Sequence, residues 1–545
     1  MPIIGVEAGA ASAIAGAAAA IVFAYLADWL GFMFAPFAIL ALSVVFATAL
    51  FAALWRRAAD DRPALAAFTT IVVATFAWLM WRARPDFLPM GSGSDLAHHL
   101  TLVAYIEQHR RLVHDAAAAA YLGEMVDYTP GAHLLIATIA ALFRTPAMRV
   151  AHPLVALTVA VKTGTVFLIA RRVIADDAMR IPFAIVAALL PWLPYVFFAG
   201  SFMEQSFLSQ VVSELFAVAM WWTLVVWSDR PSAAMMAWFA LFGTAAFLTW
   251  PLWVGPLVLT LAAVLASAHT ITWRRRLQHV AIATVPIAIV TAIYAAARQV
   301  YGFHMVNAVG FAVWPSPRNL GWVFIAATAA GIVGSAIDRR ARSAVWLFAA
   351  IGLQAAALIA FGRSSGASAP YLSLKMAYLA IYPLSVGAAV ALAAGWRRVV
   401  PRHAAVNYAW VAVALVMLGV GRSVASVPAA KPVVTQPVAL AGAWARTHLP
   451  TACIDYLVAD GYTGYWLHLA VLGNPRAAGR SLQEETFDPH QATVRWILPG
   501  GLPYAIAGNF DALPRDIRTN VDVLARFGPA AVVKRRGPAA CDEKP

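Results

Sequence analysis

The sequence predicts an all-α polytopic membrane protein with about 13–14 transmembrane helices, followed by a small C-terminal α/β domain on the extracytoplasmic side. Of the 545 residues, 62% are hydrophobic and only 12% are charged, whereas soluble domains devote about a quarter of their residues to charge. The mean hydropathy is +0.72. Apolar runs of about 20 residues, which is long enough to cross a bilayer, recur from the N-terminus to about residue 420.

The apolar runs are separated by short stretches rich in Arg, Pro and Gly. We predict spanning helices near 9–27, 32–54, 64–82, 131–147, 151–170, 181–199, 208–227, 234–249, 252–268, 279–297, 320–337, 344–361, 371–394 and 404–420. If both segments between 131 and 170 cross, Arg171 and Arg172 lie on the extracytoplasmic face, against the positive-inside rule. Either one of these segments is re-entrant or this Arg pair departs from the rule.

The formal charge of +14 is concentrated in loops. The clusters at Arg56-Arg57, Arg274–Arg276, Arg339-Arg340 and Arg397-Arg398 are typical of cytoplasmic loops that face anionic lipid. We therefore expect a lipid bilayer and not nucleic acid as the partner of this charge. The loops at 83–130, 199–207, 299–318 and 362–370, together with everything after 421, then lie on the extracytoplasmic face.

The C-terminal part differs in composition, and we predict a domain boundary between residues 1–425 and 426–545. The segments Cys453–Val458 and Ala530–Lys534 are expected to be strands, and Tyr462–Leu472 and Val521–Phe527 to be helices. The cysteines of the chain, Cys453 and Cys541, could form a disulfide in an oxidising compartment; two unpaired thiols are the alternative.

The loop at 83–130 concentrates ionisable residues. Its last 45 residues hold six of the 26 acids and four of the 13 histidines. They are Asp86, Asp95, Glu107, Asp115, Glu124 and Asp127, and His98, His99, His109 and His114. A connector between helices needs neither this length nor this chemistry, so we expect the loop to carry the active site.

Asp95 is expected at the N-terminus of a short helix, since Leu96, Leu100, Val103 and Ile106 recur at helical spacing. A carboxylate suits that position, and simple capping of the helix is the alternative explanation for it. Asp95, His98 and His99 also allow a divalent metal ion as an alternative, although no third ligand at a fixed spacing is evident.

The end of the loop reads Asp127-Tyr-Thr-Pro-Gly-Ala-His133 and leads into an apolar helix. Pro130 fits the first turn of that helix, where its missing N–H costs nothing. Asp127, Tyr128 and His133 are therefore expected at the membrane surface near Asp95.

An Asp just after the incoming helix, followed by a Tyr-x-Pro-Gly-x-His entry at Tyr128–His133, resembles the GT-C superfamily of membrane glycosyltransferases. This superfamily includes aminoarabinose transferases, protein O-mannosyltransferases and arabinofuranosyltransferases. Tyr371-Leu-Ser-Leu-Lys375 resembles the Tyr-x-x-x-Lys pattern of arabinosyltransferase-like members. The Trp-Trp-Asp motif of oligosaccharyltransferases is absent, because Trp221-Trp222 is followed by Thr223.

The resemblance implies transfer of a sugar from a polyprenyl phosphate donor to a glycan or lipid acceptor at the outer face of a bacterial inner membrane. By the same resemblance Asp95 is the general base, and Asp127 holds the acceptor, tunes Asp95 or binds a metal. Tyr371 and Lys375, which share a helix face, bind the donor phosphate with help from Arg363 and Arg318; snorkelling of Lys375 to the interface is the alternative. The acceptor cavity is expected to be lined by His98, His99, Tyr128, His133, Glu204 and His304.

A transporter or a flippase of lipid-linked sugars is the alternative function. It would place ionisable residues near helix midpoints. Lys162 is the clearest such residue, whereas the acids gather in an outer loop, which favours surface chemistry.

Overall fold

The computed structural model describes most of the chain. Its described residues are 2–56, 58–84, 95–114, 118, 122–297, 310, 312–364, 371–399, 402–425, 435–459, 463–464, 467, 496 and 501–539. The predictions for His304, Cys541 and most of the helix at 462–472 concern positions outside these residues.

The described part is predominantly helical. In chain order the helices are α1 (Gly5–Trp29), α2 (Pro36–Trp55), α3 (Arg62–Arg82), α4 (Asp95–His109), α5 (Gly131–Phe143), α6 (Ala147–Val173), α7 (Asp177–Leu189), α8 (Leu208–Asp229), α9 (Ala233–Thr249), α10 (Val254–Ser267), α11 (Trp273–Ala297), α12 (Trp322–Ile337), α13 (Arg342–Ser364), α14 (Tyr371–Val399), α15 (Arg402–Ala425) and α16 (Gln436–His448). Each predicted apolar run corresponds to one of them, so the helical architecture is confirmed.

Nine described helices are long and apolar enough to cross a membrane by length and composition. They are α1, α2, α3, α6, α8, α11, α13, α14 and α15. Four shorter apolar helices are α5, α9, α10 and α12. α7 continues beyond Leu189 as two 3₁₀ turns, Leu190–Trp192 and Tyr195–Phe197, because Pro191 and Pro194 have no backbone N–H for a regular helix.

One side of the bundle, here called the Arg face, is held together by ion pairs between helix ends. These pairs join Arg171 to Asp61, Arg172 to Glu7 and Asp229, and Arg397 to Asp176. The start of α1, α3 and α7 and the end of α6, α8 and α14 therefore lie together. The opposite side, which carries α4, is here called the loop face.

α5 begins and ends on the loop face. Just before it, the Thr129 hydroxyl donates to the carbonyl of Thr249 at the end of α9. Just after it, His152 near the start of α6 bonds the carbonyl of Leu79 near the end of α3. At 13 residues, α5 is about 20 Å long, short of the ~30 Å apolar layer.

This placement resolves the alternative left by the sequence. The segment predicted to span at 131–147 is re-entrant, and Arg171 and Arg172 lie with the other Arg clusters as the positive-inside rule requires. Thirteen of the described helices, α1–α3 and α6–α15, then run between the two faces.

The C-terminal part contains α16 and a four-stranded sheet. The strands are β1 (Ile454–Leu457), β2 (Tyr504–Ala507), β3 (Val521–Phe527) and β4 (Ala530–Arg535), in the order β1-β2-β4-β3. β1 and β2 are parallel, and the other pairs are antiparallel. The small α/β domain and the strands at 453–458 and 530–534 are thus confirmed.

The predicted helix at 521–527 is wrong, because this segment is β3. Val521, Val523, Ala525 and Phe527 recur at every second position, which is the period of a strand, and the register with β4 shifts between Val523 and Ala525. Gly528, at φ +57°, closes a tight hairpin to β4.

The C-terminal domain contacts the loop face. The Arg446 guanidinium on α16 donates to the Gln108 side chain on α4, at 3.4 Å. Cys453, next to β1, is disulfide-bonded.

Candidate active site

Asp95 is the first residue of α4, as predicted. The helix forms because Leu96, Leu100, Val103 and Ile106 bury one apolar stripe against the bundle. Asp95 is not part of this apolar stripe. Its side chain is 44% exposed to solvent, although many protein atoms lie around it beyond contact distance. The carboxylate is therefore partly open to solvent and is not sealed in the core.

His99 connects Asp95 to the start of α5. Its Nε2 lies 3.6 Å from Oδ2 of Asp95, one helical turn away, and its Nδ1 lies 3.0 Å from Nε2 of His133. The ring of Tyr128 contacts His99 edge-on, with centroids 5.0 Å apart, and lies 6.0 Å from Trp250. Asp95, His99, His133 and Tyr128 thus form one cluster, which we call the Asp95 cluster.

The charges around Asp95 keep its carboxyl group ionised. Burial raises the pKa of Asp95, but His99 opposes this by its charge and hydrogen bonding, and Lys375 and His98 add to the effect. The net result is a pKa below the ordinary value. Asp95 is therefore a carboxylate at neutral pH, as a proton acceptor must be.

Lys375, in the second turn of α14, is electrostatically coupled to Asp95 although its side chain is only 1% exposed. Its Nζ lies 2.7 Å from the centroid of the Phe207 ring and 5.1 Å from that of Tyr371. Among the described residues it has no ion pair at contact distance. A buried lysine beside aromatic rings can bind an anionic ligand as its ammonium form.

The segment before α8 packs against α14 beside Lys375. The Tyr378 hydroxyl donates to the side-chain oxygen of Gln205 and accepts from the N–H of Val313 at 3.3 Å. Gly310 lies against the Tyr371 ring so closely that a Cβ there would be 2.8 Å from it. Loops of different helices therefore close around Tyr371 and Lys375.

Other predicted site residues lie on the loop face but outside these contacts. The backbone carbonyl of Asp127 accepts a bond from the Tyr294 hydroxyl, and Asp127 is not among the charges that shift the pKa of Asp95. Arg363 and Arg318 are exposed at the end of α13 and in the helical turn Pro317–Leu320. Burial raises the pKa of Glu204, against the opposing charge of Arg82.

A buried polar network lies below Lys375, and the sequence indicated only one member of it. Lys162 on α6 bonds Glu214 on α8 at 2.5 Å, and the Tyr382 hydroxyl donates to the same oxygen at 2.6 Å. Glu214 and Lys162 are fully buried. A lysine at a helix midpoint needs a buried carboxylate, and Glu214, an acid inside an apolar helix, was the signal available in the sequence.

The described residues contain no group of three His, Cys, Asp or Glu side chains able to hold a metal ion. Asp95, His98 and His99 therefore do not form a three-ligand site there.

The raised pKa of Glu107, which is also on α4, leads us to predict that the stability of the protein depends on pH. Burial raises its pKa to about 7, against the opposing charges of Arg446 and Arg110. The folded protein then binds a proton that the unfolded chain releases above about pH 4.5, so this contribution to stability is lost as the pH rises from about 4.5 to 7. We expect Glu107→Gln to equal the wild type at low pH and to melt about 1–3 °C higher at pH 8.

Thermal unfolding in detergent at pH 5 and pH 8 measures this difference. Glu124→Gln, at an exposed position of the same loop, is the control and should follow the wild type at both values. A Glu107→Gln variant with the wild-type pH profile would contradict the assignment.

Comparison with solved structures gives matches in fold. A mutant form of the arabinofuranosyltransferase AftD from Mycobacteria matches with a TM-score of 0.53 and 14% identity, over 88% of this chain and 42% of AftD. Another AftD structure matches with a TM-score of 0.50 and 15% identity, over 88% of this chain and 40% of that one. This chain thus spans about two fifths of AftD.

The Archaeoglobus fulgidus oligosaccharyltransferase, in a complex with Zn and sulfate, matches with a TM-score of 0.46 and 14% identity, over 82% of this chain and 68% of that chain. No family model matches the sequence, and no curated protein matches it either.

Proposed function

The chain has the fold of the GT-C membrane glycosyltransferases, and from this premise we propose that it transfers a sugar from a polyprenyl phosphate donor to a glycan or lipid acceptor. The observation that carries the proposal is the placement of Asp95 at the start of α4 and of Lys375 near the start of α14, both on the loop face. The two side chains are close enough to interact electrostatically. Glycosyl transfer from a lipid phosphate needs a base at the acceptor and a positive group at the leaving phosphate, and Lys375 supplies the second as its ammonium form when the anionic donor is bound.

In the proposed reaction Asp95 accepts the proton of the acceptor hydroxyl as its oxygen attacks the anomeric carbon. The bond between that carbon and the phosphate oxygen breaks, and the lipid phosphate leaves with the bonding electrons. Lys375 stabilises the negative charge that develops on this phosphate. His99 holds the Asp95 carboxylate, and Tyr371 contacts Lys375 at the start of α14.

The remaining predicted residues complete the proposal. Asp127, Tyr128, His98, His133, Glu204 and His304 are proposed to line the acceptor cavity, with Arg363 and Arg318 attracting the anionic donor from outside. We place this face and the C-terminal domain outside the cytoplasm of a bacterium, since the Arg face carries the charge typical of cytoplasmic loops.

A transporter would use ionisable groups at helix midpoints, and Lys162 with Glu214 is such a pair. The pair is fully buried, and Tyr382 donates to the same Glu214 oxygen that Lys162 binds. This closed arrangement supports a structural role and favours the glycosyltransferase.

The proposal is tested by supplying radiolabelled polyprenyl phosphate sugars to membranes that contain the protein. We expect label to move to an acceptor, and we expect Lys375→Met to lower kcat/KM for the donor about 10- to 100-fold, because a charge-assisted contact to the leaving phosphate is lost. Lys534→Met, at an exposed position of β4, is the matched control and should leave kcat/KM unchanged.

Two results would contradict the proposal. The first is absence of transfer with every donor, together with flux of lipid-linked sugar across proteoliposomes, which would indicate a flippase. The second is an unchanged kcat/KM for the donor in Lys375→Met, which would remove Lys375 from the donor site.

A further inference from the structure

The N-terminus of α8 is buried and has no cap. Phe207 occupies the N-cap position, and no side chain there accepts a hydrogen bond from the helix. The N–H of Val211 donates to the carbonyl of Phe207, whereas the N–H groups of Ser209 and Gln210 have no acceptor among the described residues. Unbonded N–H groups and the helix dipole make this end positive.

Two serine hydroxyls at the same place also have no partner. Ser206 and Ser209 are each 1% exposed, and their Oγ atoms form no hydrogen bond. Ser206 is held at φ +62°, a left-handed conformation that is costly for a residue other than glycine. Buried polar groups in native proteins nearly always have hydrogen-bond partners, so these two hydroxyls and the free N–H groups of α8 are available to a bound ligand.

Lys375 brings its amino group to this helix end. Its Nζ contacts the ring of Phe207, the residue between Ser206 and α8. Asp95 and Glu214 interact with it electrostatically, but neither forms an ion pair with it at contact distance. Lys375 thus contacts the N-cap residue of α8, which follows Ser206 directly in the chain and precedes Ser209 by two residues.

We propose that the N-terminus of α8, with Ser206, Ser209 and Lys375, binds the phosphate group of a lipid phosphate. Helix N-termini bind phosphate through their free N–H groups and dipole. A lipid carrier is favoured because the site lies at the ends of two spanning helices, α8 and α14, and is lined by the aromatic rings of Phe207 and Tyr378. The inference rests on the proposed function and assigns the position of the leaving phosphate.

The test uses a variant that removes both hydroxyls without adding strain. Ser206→Gly suits the left-handed backbone, and Ser209→Ala is neutral for an unbonded hydroxyl. The control is Ser213→Ala on the same helix, because the Ser213 hydroxyl is bonded to the carbonyls of Ala246 and Trp250. The full-length protein in detergent is titrated with farnesyl phosphate, inorganic phosphate or farnesol, and thermal unfolding is followed.

We expect farnesyl phosphate to raise the unfolding temperature of the wild type more than inorganic phosphate does, and farnesol to have no effect. In the Ser206→Gly/Ser209→Ala variant the apparent Kd for farnesyl phosphate should rise about 10- to 100-fold. Without ligand this variant should be at least as stable as the wild type, while Ser213→Ala should lose stability but keep its affinity. Lys375→Met serves as a second variant and should also lose affinity.

Equal stabilisation by inorganic phosphate would overturn the lipid assignment, and unchanged affinity in both variants would overturn the site. The transfer assay separates this inference from the proposed function. If the wild type transfers sugar but neither variant changes the affinity for farnesyl phosphate, the proposed site is wrong and the proposed function stands. If the variants lose affinity but the wild type transfers no sugar, the proposed function is wrong and the site stands.

Discussion

Asp95→Asn is expected to lower the rate of sugar transfer about 10²- to 10⁴-fold, the range for loss of a general base. The amide has nearly the same shape as the carboxylate but cannot accept the acceptor proton. Because 44% of the Asp95 side chain is exposed, its replacement by an amide leaves no neighbouring charge buried without a partner. The fold should therefore persist. The measurement is the turnover number with saturating donor, alongside the unfolding temperature.

The comparison variant for this experiment is Glu124→Gln, which neutralises an exposed carboxylate of the same loop and should keep full activity. The low pKa of Asp95 adds a second expectation. Because the pKa of Asp95 lies below the ordinary value for an aspartate, the group is still ionised at pH 5. Its protonation should therefore not limit activity at that pH. Wild-type turnover in Asp95→Asn would remove Asp95 as the base.

Arg172→Ala is expected to reduce the free energy of unfolding by about 3–5 kcal/mol, the cost of breaking a buried ion pair from one side. Arg172 holds both oxygens of Glu7, at 2.5 and 2.6 Å, and one oxygen of Asp229 at 2.9 Å. The side chains of Arg172 and Glu7 are fully buried. Loss of the guanidinium would leave the Glu7 carboxylate unpaired between α1, α6 and α8.

Denaturant unfolding in detergent measures this loss, with two further variants. Arg536→Ala breaks the exposed pair with Asp522 and should cost about 0–1 kcal/mol. Adding Glu7→Gln to Arg172→Ala should recover much of the loss, because it removes the orphaned charge. An Arg172→Ala protein as stable as the Arg536→Ala control would refute the role of this network.

Part of the candidate site could be predicted from local sequence. Helical spacing placed Asp95 at the start of α4 and put Tyr371 and Lys375 on one face of α14. Local sequence could not predict that Phe207 and Gln205 would lie against α14 beside Lys375 and Tyr378. Apolar helices in a membrane have similar surfaces on most sides, so their pattern does not specify which neighbour they choose.

The C-terminal sheet illustrates the same limit. The apolar, β-branched run Ala530–Lys534 predicts the strand that the structure contains, whereas the prediction of a helix at Val521–Phe527 is wrong. Its strand conformation depends on pairing with β4 across the Gly528 hairpin, and such pairing is a tertiary property.

By itself the sequence determined that the chain crosses a membrane many times, where its apolar helices lie, and which outer loop gathers ionisable residues. These properties follow from transfer of each segment between water and lipid, which depends on that segment alone. Only the tertiary structure showed that α5 is re-entrant and that His99 contacts both Asp95 and His133. It also showed that Glu214 pairs with Lys162 and that Lys375 contacts Phe207 at the uncapped end of α8. Each of these joins residues far apart in sequence, and only packing of the helices against one another brings them within bonding distance.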